Sequence, residues 1–199
     1  GVDFLAHSAR DKDVDPAFVS ELKRKGVCLC PTLVRELSTF VYAEEPEFFA
    51  DPFFLREADP AVLAELRTSE RREKVRANPA SARYREALQV ASRNLKALSD
   101  GGAGIAFGTD SGPPARFQGY FEHLELQLMS GAGMTPLQIL TAATSDAARC
   151  LALPEGTGTL RPRAWADFLV LRADPLTDVK NTRTLESVWI AGNRLPAQE

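Results

Sequence analysis

The sequence predicts an α/β protein: short buried parallel strands alternate with helices, and a small region of β-strands follows. Three observations carry this expectation. GIAFGTDSG, Gly104 to Gly112, is an apolar run of strand length that ends in a carboxylate. Residues 1 to 34 read strand, helix, strand with a short helix between, the unit that builds a parallel sheet. Past Pro154 the texture changes to Gly, Thr, Pro and short apolar runs, the mark of a small β region.

Each element has its own signal. Residues 1 to 7 form a strand that carries Leu5 and His7 on one face, with His7 at its carboxyl end. Asp15-Pro16 starts a helix, Asp as cap and Pro at the first helical position; Phe18 and Leu22 follow at helical spacing, and Gly26 ends it. VCLCPTLV, Val27 to Val34, is the second strand. Arg35 to Ala58 shows no clean period and reads as a long excursion above the strand ends. Its cluster of Phe40, Tyr42, Phe48, Phe49, Phe53 and Phe54 fits either the border of a substrate cavity or plain core. Asp59 to Arg76 is helical, with Val62 and Leu66 on one side and a solvated charge run elsewhere. A helix over about Ala82 to Leu98 puts Leu88, Ala91, Leu95 and Leu98 on one stripe and closes at Asp100-Gly101-Gly102.

In the Gly104 to Gly112 strand, Asp110 shares a face with Gly108 and Ala106, and Gly112-Pro113-Pro114 ends the run. A helix from Tyr120 to about Ser130 carries Phe121, Leu124 and Leu128 on its stripe. Thr135-Pro136-Leu137-Gln138 is a capping box that opens a helix to about Leu151. Strands follow at Ala166 to Leu171 and Ser187 to Ala191, with Gly192-Asn193 as a turn. Residues 1–153 and 154–199 are therefore expected as separate units.

Composition bounds the function. Of the 199 residues 44% are hydrophobic and 26% charged, and the formal net charge is -3. A mildly acidic chain without basic blocks argues against nucleic acid as a partner, and no apolar run approaches the ~20 residues of a membrane span. A small-molecule substrate is the expected partner, and homo-oligomerisation stays open. No signal-peptide pattern is present, but the chain opens on Gly1 without Met, so localisation is open too. Cys28 and Cys30, two apart on a strand, are poorly placed to pair, and Cys150 lies in a helical stretch. All three read as reduced core residues, a slight lean toward a reducing, cytoplasmic compartment.

The carboxyl ends of parallel strands are where chemistry sits, which singles out Asp110 and His7. An imidazole and a carboxylate are a usual zinc ligand pair. Taken alone, Asp110 reads equally well as an Asp closing a turn, and a hydrogen-bonded, partly buried residue is the better reading of a lone histidine. His123 and Glu125, two apart on a helix, diverge by about 200° and cannot share a metal; His123 can still reach a site mouth as a substrate or second-sphere contact. No serine elbow, phosphate loop or paired-cysteine zinc motif is present. Two ligands are half of a catalytic metal site, which takes three or more.

At this point a family resemblance enters. GVDFLAH, Pro31-Thr32 after a buried strand, FGTDSG, EHLELQLMSGAGMTPLQILTAATSDAARCLAL and GTLRPRAWADFLVLRADPLTDVKNTRTLESVWIAGNRL resemble, in that order, the C-terminal part of metal-dependent amidohydrolases, nearest the imidazolonepropionase and Xaa-Pro dipeptidase branch. The resemblance implies a (β/α)₈ barrel with a composite β-sandwich, of which this chain would hold about strands six to eight and the sandwich strands. In that scheme His7 matches the metal-binding His after strand six. Asp110 matches the strand-eight Asp that binds metal and takes the proton of the attacking water, and Thr109 and Ser111 flank it. The cofactor implied is one or two divalent ions, zinc first.

The departures are equally plain. The family's strand-one His-x-His pair, its strand-four bridging residue and its strand-five His have no counterpart here, and 199 residues fall short of the ~250 of a typical barrel. None of the six lysines ends an apolar strand. Arg161-Pro162-Arg163-Ala164 replaces the usual glycine-containing turn before the Ala-Asp strand. A fragment of a metal-dependent hydrolase of carbon-nitrogen bonds, inactive as an isolated chain, is the expectation. The other is a non-catalytic remnant or pairing module that binds through an unfilled barrel edge.

Overall fold

The computed structural model describes residues 1–196. Strands β1 (Phe4–Ala6), β2 (Cys28–Cys30) and β3 (Gly104–Ile105) form one parallel sheet in the order β1-β2-β3. Phe4 pairs with Cys28 and Cys28 with Gly104, so all three strands start level. Helix α1 (Pro16–Lys25) joins β1 to β2. Asp15 caps it by accepting from the Phe18 amide at 2.7 Å, and Gly26 ends it at φ +67, a conformation that glycine takes without steric cost.

Between β2 and β3 lie α2 (Leu33–Ser38), two 3₁₀ turns (Val41–Ala43 and Glu47–Ala50), α3 (Pro52–Leu55), α4 (Pro60–Leu66), α5 (Ser69–Ala77) and α6 (Pro79–Asp100). The same Asx-Pro device opens α3, α4 and α6: Asp51, Asp59 and Asn78 each accept from a first-turn amide, with Pro at the first helical position. The helical stretch expected over Asp59 to Arg76 is two helices, because Thr68 turns the chain and caps α5.

After β3 come α7 (Tyr120–Gly131), α8 (Pro136–Ala142) and α9 (Ser145–Cys150). The single helix expected from Thr135 to Leu151 breaks at Thr144 (φ -131, ψ -97). Gly158 lies against this break so closely that a Cβ there would stand 2.6 Å from the Thr144 carbonyl oxygen. Past Pro154, β4 (Phe168–Leu171), a 3₁₀ turn (Val179–Arg183), β5 (Leu185–Ile190) and β6 (Asn193–Arg194) make an antiparallel sheet. Phe168 and Trp189 stack across it, and Ala191-Gly192 forms the hairpin turn with both residues at positive φ.

Two apolar clusters hold the molecule. One joins Leu22, Leu29, Leu33, Leu95, Leu98, Ile105, Met129 and Ile139 around the parallel sheet. The second joins Val34, Tyr42, Phe49, Phe54, Leu63, Leu66, Tyr120 and Phe121. The aromatic excursion is thus largely core: Tyr42, Phe49 and Phe54 are fully buried, and only Phe48 and Phe53 are partly open. It still adjoins the strand ends, since the Tyr42 hydroxyl donates to the Ala115 carbonyl in the loop after β3.

Two expectations are corrected. The Gly104 to Gly112 run pairs as a ladder only at its first two residues, and the chain continues through single bonds, Ala106 N–H to Leu29 O and Phe107 N–H to Ala142 O, both 2.9 Å. The cysteines are not all reduced: Cys28 is bonded to Cys150, and Cys30 alone keeps a free thiol. Spacing on one strand judged only Cys28 against Cys30, whereas α9 packs beside β3 and brings Cys150 to a Cα distance of 5.8 Å from Cys28. Cysteine usage therefore lends no support to a reducing compartment. No helix among the described residues is long and apolar enough to cross a membrane.

Candidate active site

The three parallel strands share an ending. His7 (φ +82), Thr32 (φ +48) and Asp110 (φ +57) follow β1, β2 and β3, and each sits in the left-handed region that non-glycine residues avoid. Such a conformation costs about 1–2 kcal/mol per residue, so surrounding contacts must hold it. At each strand end the turn in the backbone lets a side chain leave the sheet at its carboxyl edge.

His7 closes β1 in register, its amide donating to the Cys30 carbonyl at 2.9 Å. Its ring Nδ1 lies 3.0 Å from Thr32 Oγ1, which leaves Nε2 without a protein partner among the described contacts. The loop that follows is pinned by buried Asn94 of α6: its Oδ1 accepts from Val14 N–H, and its amide donates to the Ala9 and Lys12 carbonyls. One side chain thus ties three backbone groups of the loop.

Asp110 is partly open, its side chain 37% exposed. Arg116, from the loop after β3, donates to both its carbonyl and its Oδ2. Arg35 of α2 approaches the same Oδ2 at 3.5 Å, and Oδ1 has no partner among the described contacts. Arg35 also bonds fully buried Glu36 at 3.1 Å, and Arg10 bonds the other Glu36 oxygen. Three guanidinium groups therefore meet two carboxylates at this edge.

Thr109 and Ser111 flank Asp110 as the sequence placed them, but they hold the turn. Thr109 donates to Glu122 Oε1 at 2.9 Å and accepts from the Ser111 amide and hydroxyl. Glu122 Oε2 in turn accepts from Gly119 N–H and caps α7. The Asp110 turn is thereby fastened to the helix behind it.

His123 goes elsewhere. Its Nδ1 meets Thr182 Oγ1 at 2.9 Å, its ring stands edge-on to Phe53, and burial together with the nearby Arg183 charge pushes its pKa down. Arg183 itself stacks on Phe53 and Tyr120 and pairs with Asp51 at 2.8 Å. These contacts tie the 179–183 turn to α7 and the aromatic excursion. His123 and Glu125 diverge as their spacing requires.

Glu125 is the residue that sequence reasoning weighed only as a metal partner of His123 and set aside. It is fully buried, and its two oxygens accept from the Leu33 and Val34 amides at 2.8 and 2.7 Å. Burial pushes its pKa up to about 8 against the opposing pull of those two amides. Burial, followed by the Glu125 and Asp110 charges, also lifts the Cys30 thiol to about 11. The α7 stripe of Phe121, Leu124 and Leu128 does pack inward, but the most deeply buried line beside it runs through Phe121, Glu125 and Met129, so an acidic side chain stands on the buried face. Arg35, Arg116 and Asn94 carried no comparable mark.

Among the described residues, no group of three His, Cys, Asp or Glu is placed to hold a metal ion. The donor atoms left free, His7 Nε2 and Asp110 Oδ1, are one nitrogen and one oxygen at the same sheet edge. Their chemistry fits two positions of a divalent-metal set and not a whole one.

The chain thus presents a parallel α/β sheet with an imidazole and a carboxylate at its carboxyl edge, and comparison with known proteins gives its family. Residues 18–195 match the amidohydrolase family, and the chain belongs to that family. It is 36% identical over 102 residues to an imidazolonepropionase of Deinococcus deserti, and 36% identical over 112 residues to an ochratoxinase of Aspergillus niger. These alignments cover 49% and 52% of this chain but only 25% and 22% of the relatives, so the chain spans about a quarter of the length of the curated proteins it matches. Among solved structures, a Xaa-Pro dipeptidase with bound methionine in its active site superposes on 99% of the chain with a TM-score of 0.65 at 19% identity. The ochratoxinase structure superposes on 98% with a TM-score of 0.60 at 24% identity. The chain covers 40% and 37% of those two proteins, and at such identities the likeness concerns the fold.

Proposed function

We propose that this chain forms strands six to eight of a (β/α)₈ barrel over residues 1–153, followed by sandwich strands over 154–199. It supplies part of the centre of a metal-dependent hydrolase of carbon-nitrogen bonds. The observation that carries the reading is the shared strand ending, which brings His7 and Asp110 to one edge with Nε2 and Oδ1 free. His7 Nε2 and Asp110 Oδ1 would hold a divalent ion, zinc by the chemistry of the donors, with the remaining ligands supplied by polypeptide outside these residues. A bound divalent ion lowers the pKa of water toward neutrality and polarises the substrate carbonyl.

The chain's own part is proton transfer and orientation. Asp110 takes a proton from the attacking water, oxygen bonds to the carbonyl carbon, and Asp110 hands the proton to the nitrogen as the C–N bond breaks. Arg116 and Arg35 hold Oδ2 and aim the carboxylate, while Thr109 and Ser111 keep its turn in place. The proposed substrate is a small molecule with a carbon-nitrogen bond beside a carbonyl, which reaches Asp110 at the open carboxyl edge of the sheet. His123, held by Thr182, supports the docking of the 179–183 turn instead of touching substrate.

Asp110→Asn in the full-length enzyme tests the reading. The amide keeps the shape but takes no proton at neutral pH, and turnover should fall about 10²–10⁴-fold. Wild-type turnover with metal bound would overturn the role. A second reading, a pairing module, draws on β1 and β3 each being hydrogen-bonded on one side only. Light scattering separates the two: association through these edges without activity in the full-length protein supports a pairing module.

A further inference from the structure

Thr32 occupies the N-cap position of α2, where a threonine hydroxyl ordinarily accepts an amide of the first turn. It does not do so here. Its backbone is left-handed and its side chain makes no capping bond. Oγ1 faces the His7 ring instead, 3.0 Å from Nδ1. The α2 amides of Leu33 and Val34 are not orphaned, because both Glu125 oxygens reach in from α7 and accept them. Thr32 is 3% exposed and Glu125 is 0% exposed, so both of these groups are enclosed, while the His7 ring is half-buried.

From this exchange of partners we infer that Glu125 and Thr32 are positioning residues for His7: Glu125 takes over the capping of α2, and the freed Thr32 hydroxyl fixes the His7 ring with Nε2 directed into the site. The logic follows from donor and acceptor counts. A threonine oxygen that receives no backbone amide has its lone pairs available for an Nδ1–H, and an imidazole protonated at Nδ1 has its lone pair on Nε2. Glu125 acts on His7 from 91 or 92 residues along the chain past its α2 partners, and it does so without touching the ring. The carboxyl group suits this task better than a second hydroxyl would, because its two oxygens meet two adjacent amides at once. The inference extends the proposed function only where it assigns a use to Nε2; the arrangement of the ring stands apart from metal binding.

The test reads the ring directly. In the intact protein with ¹⁵N-labelled histidine, the His7 resonances are assigned by their loss in His7→Gln. The ring nitrogens of the wild type should show the Nδ1-protonated form. Thr32→Val and Glu125→Gln should each move them toward a mixture of tautomers, and Thr32→Ser, which keeps the hydroxyl, should restore the wild-type pattern. Zinc affinity, measured by titration with zinc alone, should fall about 10- to 100-fold in Thr32→Val and Glu125→Gln and stay near wild type in Thr32→Ser. If Glu125→Gln does not fold, Glu125→Asp, which withdraws the oxygens by one methylene, takes its place. A His7 tautomer unchanged in Thr32→Val, or in the folded Glu125 variant, overturns the inference whatever the zinc affinity. A changed tautomer with unchanged zinc affinity upholds it and overturns His7 as a metal ligand.

Discussion

The two ends of the parallel sheet are built on opposite principles. At the amino end Cys28 is bonded to Cys150, and Gly104 lies so close to that bond that a Cβ would stand 2.6 Å from Cys28 Sγ. Val27, the residue before β2, is buried and hydrogen-bonded back to Leu22. At the carboxyl end three residues stand in left-handed conformations, held by arginines, a buried glutamate and hydroxyls. One end is locked by a covalent bond and close packing; the other keeps a costly backbone in place with polar contacts. That division is what a scaffold needs if chemistry at one edge is not to loosen the whole sheet.

Changes at the amino end should therefore cost stability and spare the site. Cys28→Ser opens a cross-link spanning 122 residues and should lower unfolding free energy by roughly 2–5 kcal/mol. Denaturant melts measure this, and unchanged zinc binding by the folded variant is expected alongside. A loss of zinc binding that matches the loss of stability would erase the contrast between the two ends.

The next effect belongs to Glu125. Its carboxyl stays protonated in the fold up to about pH 8, whereas in the unfolded chain it ionises near its ordinary 4.5. Between those values the native state holds more protons, so its contribution to stability falls as pH rises through the window, by an amount of order a few kcal/mol. The stability gap between wild type and Glu125→Gln should shrink from pH 4.5 to pH 8 in parallel urea melts. A gap that widens with pH would mean that the two amides outweigh burial.

The smallest effects separate two glycines four residues apart, Gly104 in β3 and Gly108 in the stretch that follows it. Gly104→Ala meets the bonded Cys28 sulfur, which cannot move, while Gly108→Ala meets the free Cys30 thiol at 2.5 Å. Each should cost about 1–3 kcal/mol by overpacking. Cys30→Ala should relieve Gly108→Ala and leave Gly104→Ala as it was. Equal rescue of both in thermal melts would contradict the packing described for this face.

Much was legible in the chain because its signals are local. Asp15-Pro16, Gly26 and the Thr135 to Gln138 capping box each act within one helical turn, and each does in the structure what the residues announce. The strand before His7 and the run before Asp110 were visible as apolar stretches ending in polar side chains. The breaks at Thr68 and Thr144 were not, since a helical period continues across them and only the packing of other segments interrupts it. The aromatic excursion was ambiguous for a related reason: aromatic residues serve a core and a cavity wall equally well until a neighbour such as Phe121 is known.

The sequence by itself determined the succession of strands and helices, the two polar strand endings at His7 and Asp110, and, through the order of its motifs, membership of the amidohydrolase family. Only the tertiary structure decided what surrounds those endings. The Cys28–Cys150 bond, the grip of Arg35 and Arg116 on Asp110, and the exchange among Glu125, Thr32 and His7 all join residues far apart in the chain, except where Arg116 follows Asp110 by six. The periodicities that mark helices and strands report which face of an element is buried; they carry nothing about which distant donor meets which acceptor, because that pairing exists only once the sheet and its helices have closed on one another.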